Sequence, residues 1–214
     1  MKKTIIAIPF LILVLFGLSC NTSKKENKDD DSTETKIMLG KTTYSIDTSG
    51  TSMKWTAYKF TDKLGVSGTF DELRLRLKTD SGPIDELLKN AEVTINTMSV
   101  NSGNEIRDPK LRTSFFNVFK MDTIFAKILD ASDGNGLLEL EMNDTSNDVA
   151  LQYAIKNDSL MLSIHIDVLL WNGEEALKTL NKECYEVHTG TDGISKLWPD
   201  VDVVLKIPVK LESL

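Results

Sequence analysis

Cysteine and histidine are scarce in this sequence, since each occurs only twice among 214 residues. The histidines, His165 and His188, stand apart from each other, and a single cysteine, Cys184, lies near His188, which is too few residues for the closely spaced ligand set of a zinc site. The cysteines, Cys20 and Cys184, are too few for a disulfide-stapled scaffold. The folded part must therefore be stabilised by a hydrophobic core, in which we expect Cys184 to be a buried thiol.

Basic charge is also in deficit, with 25 Lys and Arg against 32 Asp and Glu, for a net charge of −7. Scattered lysines on an acidic chain do not provide the basic footprint that nucleic acid requires. Catalytic patterns are missing as well: there is no Ser-His-Asp spacing, nucleophile elbow, phosphate loop or His-Glu-x-x-His sequence. We therefore expect no catalytic residues and no enzymatic activity.

Only one long apolar run is present, at residues 5–18, shortly after Lys2 and Lys3. A helix of this length covers roughly 21 Å, which is short of the ~30 Å hydrocarbon core of a bilayer. A basic start followed by a short apolar run is typical of a signal peptide and not of a membrane-spanning helix. The sequence predicts a signal peptide over residues 1–19 and export of the chain.

The apolar run ends in Phe16-Gly17-Leu18-Ser19-Cys20, which resembles the recognition box of lipoprotein signal peptidase. Ser19 is the small residue that such a box requires before the cysteine, although Gly17 stands where an aliphatic residue is commoner. We expect lipid on Cys20 to anchor a lipoprotein of the cell envelope, which lies in the outer membrane or faces the periplasm. The alternative is ordinary secretion after cleavage near Ser19.

Residues 21–35 contain no large apolar side chain. Such a segment cannot bury enough surface to offset the entropy of ordering it, so residues 20–41 are predicted to form a flexible acidic tether after the lipidated cysteine. The acidic run at residues 29–31 is either solvated linker or a cue for surface display. The remainder, residues 42–214, has the size of one domain.

Alternation of apolar and polar residues dominates residues 42–214 and predicts about eight to ten β-strands. The longest predicted strands extend from Leu160 to Leu170 and from Val201 to Leu211. A bulge is expected near Asp71-Glu72. Long one-faced strands favour an all-β, antiparallel barrel of about eight strands. Two short helices are predicted at residues 83–89 and 174–187, and the other strands at residues 43–47, 52–60, 65–70, 73–78, 91–96, 123–129, 137–142 and 149–155.

Four segments resemble the YceI-like family: Tyr44-Ser45-Ile46-Asp47, residues 53–59 (MKWTAYK), residues 65–70 (GVSGTF) and residues 91–119 (AEVTINTMSVNSGNEIRDPKLRTSFFNVF). The resemblance covers about residues 42–212. It implies a lipocalin-like antiparallel β-barrel whose interior takes a polyisoprenoid chain, such as a quinone tail, and that needs no cofactor for chemistry. The periodicity alone shows only a sheet with an apolar inner face.

Nine residues are candidates for ligand contact. Aromatic side chains dominate, and two leucines project from the inner faces of the long strands. Each could line a ligand cavity or simply pack into a filled barrel, because an eight-stranded barrel is just wide enough for either. The nine are Trp55, Tyr58, Phe60, Phe115, Phe116, Phe119, Leu162, Trp198 and Leu205.

Two functions follow from these alternatives. A hollow barrel would be a membrane-anchored protein that binds or carries an isoprenoid-type lipid or similar amphiphile. A filled barrel would be a surface interaction or adhesion protein without a small-molecule ligand. Arg107 and Asp108 are either a polar gate at the barrel mouth or a local pair that fixes a loop.

Overall fold

Residues 42–212 are described by a computed structural model, so the predicted signal peptide, Cys20 and tether lie outside the described part. The strands are β1 Thr43–Ile46, β2 Ser52–Lys59, β3 Leu64–Phe70, β4 Leu73–Arg76, β5 Ser81–Pro83, β6 Glu92–Asn96, β7 Val100–Asn101, β8 Thr123–Ser132, β9 Asn135–Met142, β10 Thr145–Lys156, β11 Ser159–Asp167 and β12 Leu197–Leu211. The α-helices are α1 Ile84–Leu88, α2 Arg107–Leu111 and α3 Glu174–Glu183, and a π-helix spans Arg112–Phe116.

The sheet closes on itself. Its strands are paired in the order β4-β6-β8-β9-β10-β11-β12-β2-β3-β7, and every pairing is antiparallel. The chain continues from β3 into β4 and from β6 into β7. The pairs at the two ends of this path, β4-β6 and β3-β7, therefore belong to the same two neighbouring wall strands. The wall thus has eight strands, to which β1 and β5 add a short extension beside β12. The antiparallel lipocalin-like barrel expected from the sequence is confirmed.

The bulge predicted near Asp71-Glu72 is realised as a break in both neighbouring strands. The wall strand is interrupted between β3 and β4, and opposite it a 3₁₀ turn at Thr97–Ser99 separates β6 from β7. Ser99 bridges the gap, since its carbonyl accepts from the Asp71 N–H at 3.0 Å and its hydroxyl from the Glu72 N–H at 3.0 Å. The barrel turns a corner here without losing its pairing.

The prediction that one strand continues to Leu170 is wrong, because β11 ends at Asp167. The Asp167 carboxylate accepts a hydrogen bond from the Leu169 N–H at 2.9 Å and begins a 3₁₀ turn over Val168–Trp171. Asn172 ends that turn in the left-handed conformation, at φ 59°. These short polar side chains favour a turn over the strand pattern.

The helix predicted at residues 83–89 is confirmed as α1, and α3 begins at Glu174 as predicted. However, α3 ends at Glu183 and not at Val187, which is exposed in a separate 3₁₀ turn. The structure adds α2 and the π-helix after the loop at residues 102–106. Asn104 accepts from the Arg107 N–H at 2.9 Å at the start of α2.

Arg107 and Asp108 both bind Ser102 and so fix this loop. The Arg107 guanidinium donates to the Ser102 hydroxyl at 2.8 Å and to its carbonyl at 2.9 Å. The Ser102 N–H and hydroxyl both donate to the Asp108 carboxylate. This arrangement supports the loop-fixing interpretation over the polar gate.

The two ends of the barrel differ in packing. At one end, which we call the closed end, α1 covers the interior and its Ile84, Leu87 and Leu88 side chains are at most 1% exposed. Leu160 and Ile207 fill the same end and are fully buried. The opposite end, where β12 begins and where α2, the π-helix and α3 lie, is called the helical end.

Candidate functional site

An apolar cavity of about 200 Å³ lies inside the barrel. Every residue that lines it is apolar, and the lining comes from the inner face of the wall strands together with α2, the π-helix and α3. An apolar cavity of roughly 150 Å³ already stays free of water and accepts a benzene-sized molecule. The interior of this barrel is therefore suited to hydrocarbon.

Cross-strand neighbours form one continuous part of the lining. Trp55 on β2 lies opposite Val203 on β12, and Val203 lies opposite Ile164 on β11. Leu162 on β11 and Leu205 on β12 form the next inward pair. Because side chains of period 2 share a face, one strand register places all five in the cavity wall.

The interior of the barrel is unfilled only toward the helical end. Along β12 the inward side chains of Val201 and Val203 are half-buried, whereas those of Leu205, Ile207 and Val209 are buried. Val201, Val203 and Leu205 line the cavity, and Ile207 and Val209 do not. The unfilled part of the barrel therefore lies toward the helical end and stops before the closed end.

Four phenylalanines form an aromatic cluster in the lining. The Phe115 ring lies 5.2 Å from Phe116 and 5.5 Å from Phe119 between centroids, and Phe70 lies 5.7 Å from Phe116. The π-helix sets this cluster, because its wider turn shifts the residues after Arg112 by one position relative to an α-helix. Single-turn π-segments of this kind occur frequently at functional sites.

Trp55 can lie flat against the wall only because position 68 is a glycine. A Cβ atom on Gly68 would be 2.3 Å from the Trp55 ring. The Trp55 indole N–H donates to the Thr69 carbonyl at 3.1 Å, so its polar atom is satisfied within the wall. The ring thus offers only apolar surface to the cavity.

Trp198 borders the cavity at the helical end. Its indole N–H donates to the Phe60 carbonyl at 2.6 Å, and the ammonium groups of Lys63 and Lys196 lie 4.4 and 3.4 Å from its ring centroid. The pairing of β12 with β2 shifts register between Leu197 and Val201, and Trp198 lies within this irregularity. Trp198 combines a cavity contact with two cation–π contacts.

Seven of the nine candidate residues line the cavity: Trp55, Phe115, Phe116, Phe119, Leu162, Trp198 and Leu205. The other two lie elsewhere. Tyr58 has the outward parity of β2 and donates its hydroxyl to Asp202 on the outer wall. Phe60 follows β2 in a left-handed conformation at φ 63°, with the Lys59 ammonium 4.4 Å from its ring centroid. Trp55 and Ala57 are two positions apart on β2 and line the cavity, whereas Tyr58 has the opposite parity. This difference was the sequence signal that excludes Tyr58 from the lining.

Several lining residues were not singled out from the sequence. Leu111 on α2 and Leu177 and Leu180 on α3 close the helical side of the cavity, and Met53 and Ala57 flank Trp55 on β2. The helical spacing of Leu177 and Leu180 marked an apolar face, but not the surface that it covers. The period-2 relation to Trp55 would have identified the two β2 residues.

His165 on β11 faces outward, and its partners come from β12. The His165 ring lies 2.6 Å from the Asp202 carboxylate and 3.3 Å from that of Asp200, and Lys63 lies 2.8 Å from Asp200. The hydrogen bond to Asp202 raises the pKa of His165. The hydrogen bond from Lys63 lowers the pKa of Asp200. This network braces the outer wall behind Trp198 and takes no part in the cavity.

The thiol of Cys184, directly after α3, is held in its uncharged form. Cys184 is buried, as predicted, and burial raises the pKa of its thiol.

No group of three His, Cys, Asp or Glu side chains within residues 42–212 is placed to hold a metal ion. No helix in the same range has the length and hydrophobicity needed to cross a membrane.

A closed antiparallel barrel with an unfilled apolar interior defines a lipocalin-like class of protein. Residues 44–209 match the YceI-like domain family, and the chain belongs to that family. No curated protein matches the chain in sequence.

Two solved structures share the fold. One is a polyisoprenoid binding domain from Saccharophagus degradans implicated in plant cell wall breakdown, with a TM-score of 0.54 and 15% identity over 79% of this chain and 98% of that one. The other is BcnA from Burkholderia cenocepacia, with a TM-score of 0.53 and 14% identity over 77% of this chain and 99% of that one. At these identities the similarity establishes the fold.

Proposed function

We propose that this protein binds an isoprenoid-type lipid or a similar amphiphile inside the barrel and carries it as a non-enzymatic binding protein. The observation that carries the proposal is the cavity of about 200 Å³ with an entirely apolar lining. Each CH₂ group moved from water into such a lining contributes about 0.8 kcal/mol. Binding therefore depends on the hydrocarbon tail, and a polar head group stays outside the lining.

The description of the Saccharophagus degradans domain as polyisoprenoid binding supports this assignment, because that domain has the same fold. Membership of the YceI-like family supports it independently of the structural comparison. The alternative, a filled barrel that acts only as a surface interaction or adhesion protein, is disfavoured by the unfilled helical half. A cavity without side chains to fill it forfeits packing contacts, and a ligand restores them.

We also propose that the chain is a lipoprotein of the cell envelope, anchored through Cys20. This proposal depends on the sequence Leu18-Ser19-Cys20 after the apolar run at residues 5–18. An anchor would keep the binding protein beside the membrane in which isoprenoid lipids reside. No cofactor is needed for this function, apart from the bound lipid itself.

The ligand proposal is tested by extracting the purified protein with organic solvent and identifying the extract by mass spectrometry. The wild type should release an apolar lipid. Leu162→Trp should fold normally and lose that lipid, because the larger ring occupies the cavity wall beside Leu205. Leu137→Trp is the matched control. Leu137 is exposed on β9, so this variant should retain the lipid.

Thermal melting of both variants decides between a hollow and a filled barrel. In a filled barrel, Leu162→Trp would overpack the core and cost about 1–3 kcal/mol, with no lipid to lose. A destabilised Leu162→Trp variant together with a lipid-free wild type would refute the carrier function.

A further inference from the structure

Two loops at the helical end expose large apolar side chains. We call them the rim loops, residues 59–64 and 184–196. Leu64 is 50% exposed, and the second loop holds Tyr185, Val187 and Ile194 at 57, 60 and 52%. Large aliphatic side chains that are exposed together, in loops, indicate a contact surface.

The rim loops form a single surface, because hydrogen bonds join them. The Phe60 N–H donates to the Lys196 carbonyl at 3.0 Å, and the Lys59 ammonium donates to the Val187 carbonyl at 2.8 Å. The Thr61 hydroxyl adds a bond to the Asp192 carboxylate at 2.6 Å. The apolar side chains of both loops are therefore presented by one braced unit.

This unit borders the accessible end of the cavity. Trp198 lines the cavity and is bound to the Phe60 carbonyl of the first rim loop. The second rim loop begins at Cys184, directly after α3, whose Leu177 and Leu180 also line the cavity. A lipid that leaves a bilayer for the cavity would thus pass the rim loops first.

The charges of the rim loops balance. Lys59, Lys63 and Lys196 are offset by Asp62, Glu186 and Asp192. The lysine ammonium groups lie over aromatic rings, with Lys59 on Phe60 and both Lys63 and Lys196 on Trp198. A surface without net charge has no electrostatic preference for anionic lipid, so its attraction to a bilayer must come from apolar contact.

We propose that the rim loops dock the protein onto a bilayer surface, with Leu64, Val187 and Ile194 inserted into the interface and Tyr185 at head-group depth. Insertion of exposed aliphatic and aromatic side chains at this boundary is the mode of interfacial membrane proteins. Docking in this orientation joins the cavity to the hydrocarbon layer. The docking surface does not depend on the identity of the ligand or on the lipid anchor.

An anchored chain can reach this orientation. β1 pairs with the last residues of β12, so the described chain starts at the closed end. The 15 residues of β12 extend about 50 Å from there to the helical end. Residues 21–41 allow a separation of at most roughly 70 Å when fully extended. The anchor and the rim loops can therefore meet the same bilayer.

Docking is tested with neutral phosphatidylcholine vesicles and a chain that begins at Asn21, which retains every buried residue that the structure describes. The chain should float with the vesicles, and the exchange of backbone amides in residues 185–196 should slow on binding. Amides in the closed-end turns at residues 133–134 and 157–158 should keep their exchange rates. Binding should be insensitive to salt and to added anionic lipid.

The variant Val187→Ser/Ile194→Ser should lower vesicle affinity at least about tenfold, since two exposed apolar groups are lost. The matched control is Leu129→Ser/Leu137→Ser, which removes two exposed leucines from the barrel wall and should bind as the wild type does. Thermal melting verifies that both variants are folded.

Equal losses in the two variants, or no flotation of the wild type, would overturn the docking proposal and leave the rim loops as a surface for a protein partner. Solvent extraction of the same preparations separates the two proposals. A chain that still holds lipid but does not float refutes docking alone, whereas an empty chain that floats refutes the ligand alone.

Discussion

At the scale of single residues, His188 has an unusual position for a titratable group. It is half-buried at the end of the 3₁₀ turn Glu186–His188, and its ring nitrogen lies 3.0 Å from the Asn181 side-chain oxygen. Burial, together with the nearby cations of Lys59 and Lys110, lowers the pKa of His188 to about 4. His188 is therefore neutral at physiological pH, when the rim loops are intact.

The stability of the protein should fall as the pH is lowered from 6.5, the ordinary pKa of His, to about 4. In this window the unfolded chain binds a proton that the folded protein excludes, so folding is progressively disfavoured. His188→Asn should flatten this part of the stability profile, measured by urea unfolding at each pH.

His165→Asn is the control with the opposite sign. The pKa of His165 is raised by Asp202, so its contribution is present at low pH and is lost as the pH rises through the folded value. That variant should keep the loss of stability below pH 6.5. If His188→Asn keeps it too, another group is responsible.

Alternation along strands and aromatic character gave different results as guides to the lining residues. Leu162 and Leu205 were placed inward by period 2, and both line the cavity. Tyr58 was chosen for its aromatic ring although its parity differs from that of Trp55, and it faces Asp202 outside. Parity was the better guide, because the side-chain direction of a strand is fixed by the backbone.

At the scale of elements, β11 crosses both the filled and the hollow halves of the barrel. Leu160 is fully buried at the closed end, and Ile164 is half-buried where it lines the cavity. Leu160→Ala should cost about 3 kcal/mol of unfolding free energy, because it opens a new void in packed surroundings. Ile164→Ala should cost only about 1–2 kcal/mol, because its side chain already borders empty space.

Chemical denaturation of both variants, without bound lipid, measures this difference. The conservative change Leu160→Ile keeps the side-chain volume and should cost less than about 1.5 kcal/mol. Equal costs at Leu160 and Ile164 would mean that the two halves are packed alike and that the barrel is not hollow.

The ends of elements were harder to predict than their cores. The apolar alternation of β11 runs on through Val168 and Leu170, yet the chain turns at Asp167 because that side chain binds the Leu169 N–H. Likewise, α2 and the π-helix form one continuous segment. Its sequence is short and mixed and shows no full helical period. Local polar contacts and tertiary packing decide such boundaries.

At the scale of the whole molecule, the proposed lipid anchor on Cys20 would govern where the protein works. Cys20→Ala should move the exported protein from the membrane to the soluble fraction and abolish labelling by a fatty-acid analogue. Fractionation of cells that express Cys184→Ala provides the control, since Cys184 is buried in the domain and its loss should leave the protein on the membrane. A Cys20→Ala protein that still partitions with membranes would place the anchor elsewhere.

The barrel could be predicted from the sequence, but the cavity could not. Strand number, antiparallel order and an apolar inner face follow from alternation and turn residues. Whether facing side chains meet depends on how the strands close, to within the volume of one methyl group. The half-buried Val203 and the buried Ile207 belong to one strand and have the same apolar, β-branched character, yet only the first borders a void.

This void has a mechanical consequence. Compression favours whichever state occupies less volume, and unfolding removes internal empty space by letting water reach it. The empty barrel, with about 200 Å³ unfilled at one end, should thus be soft under hydrostatic pressure. A hydrocarbon chain seated against Val203 and Phe116 would remove that weakness, so occupancy could be followed as an increase in the pressure that the fold withstands.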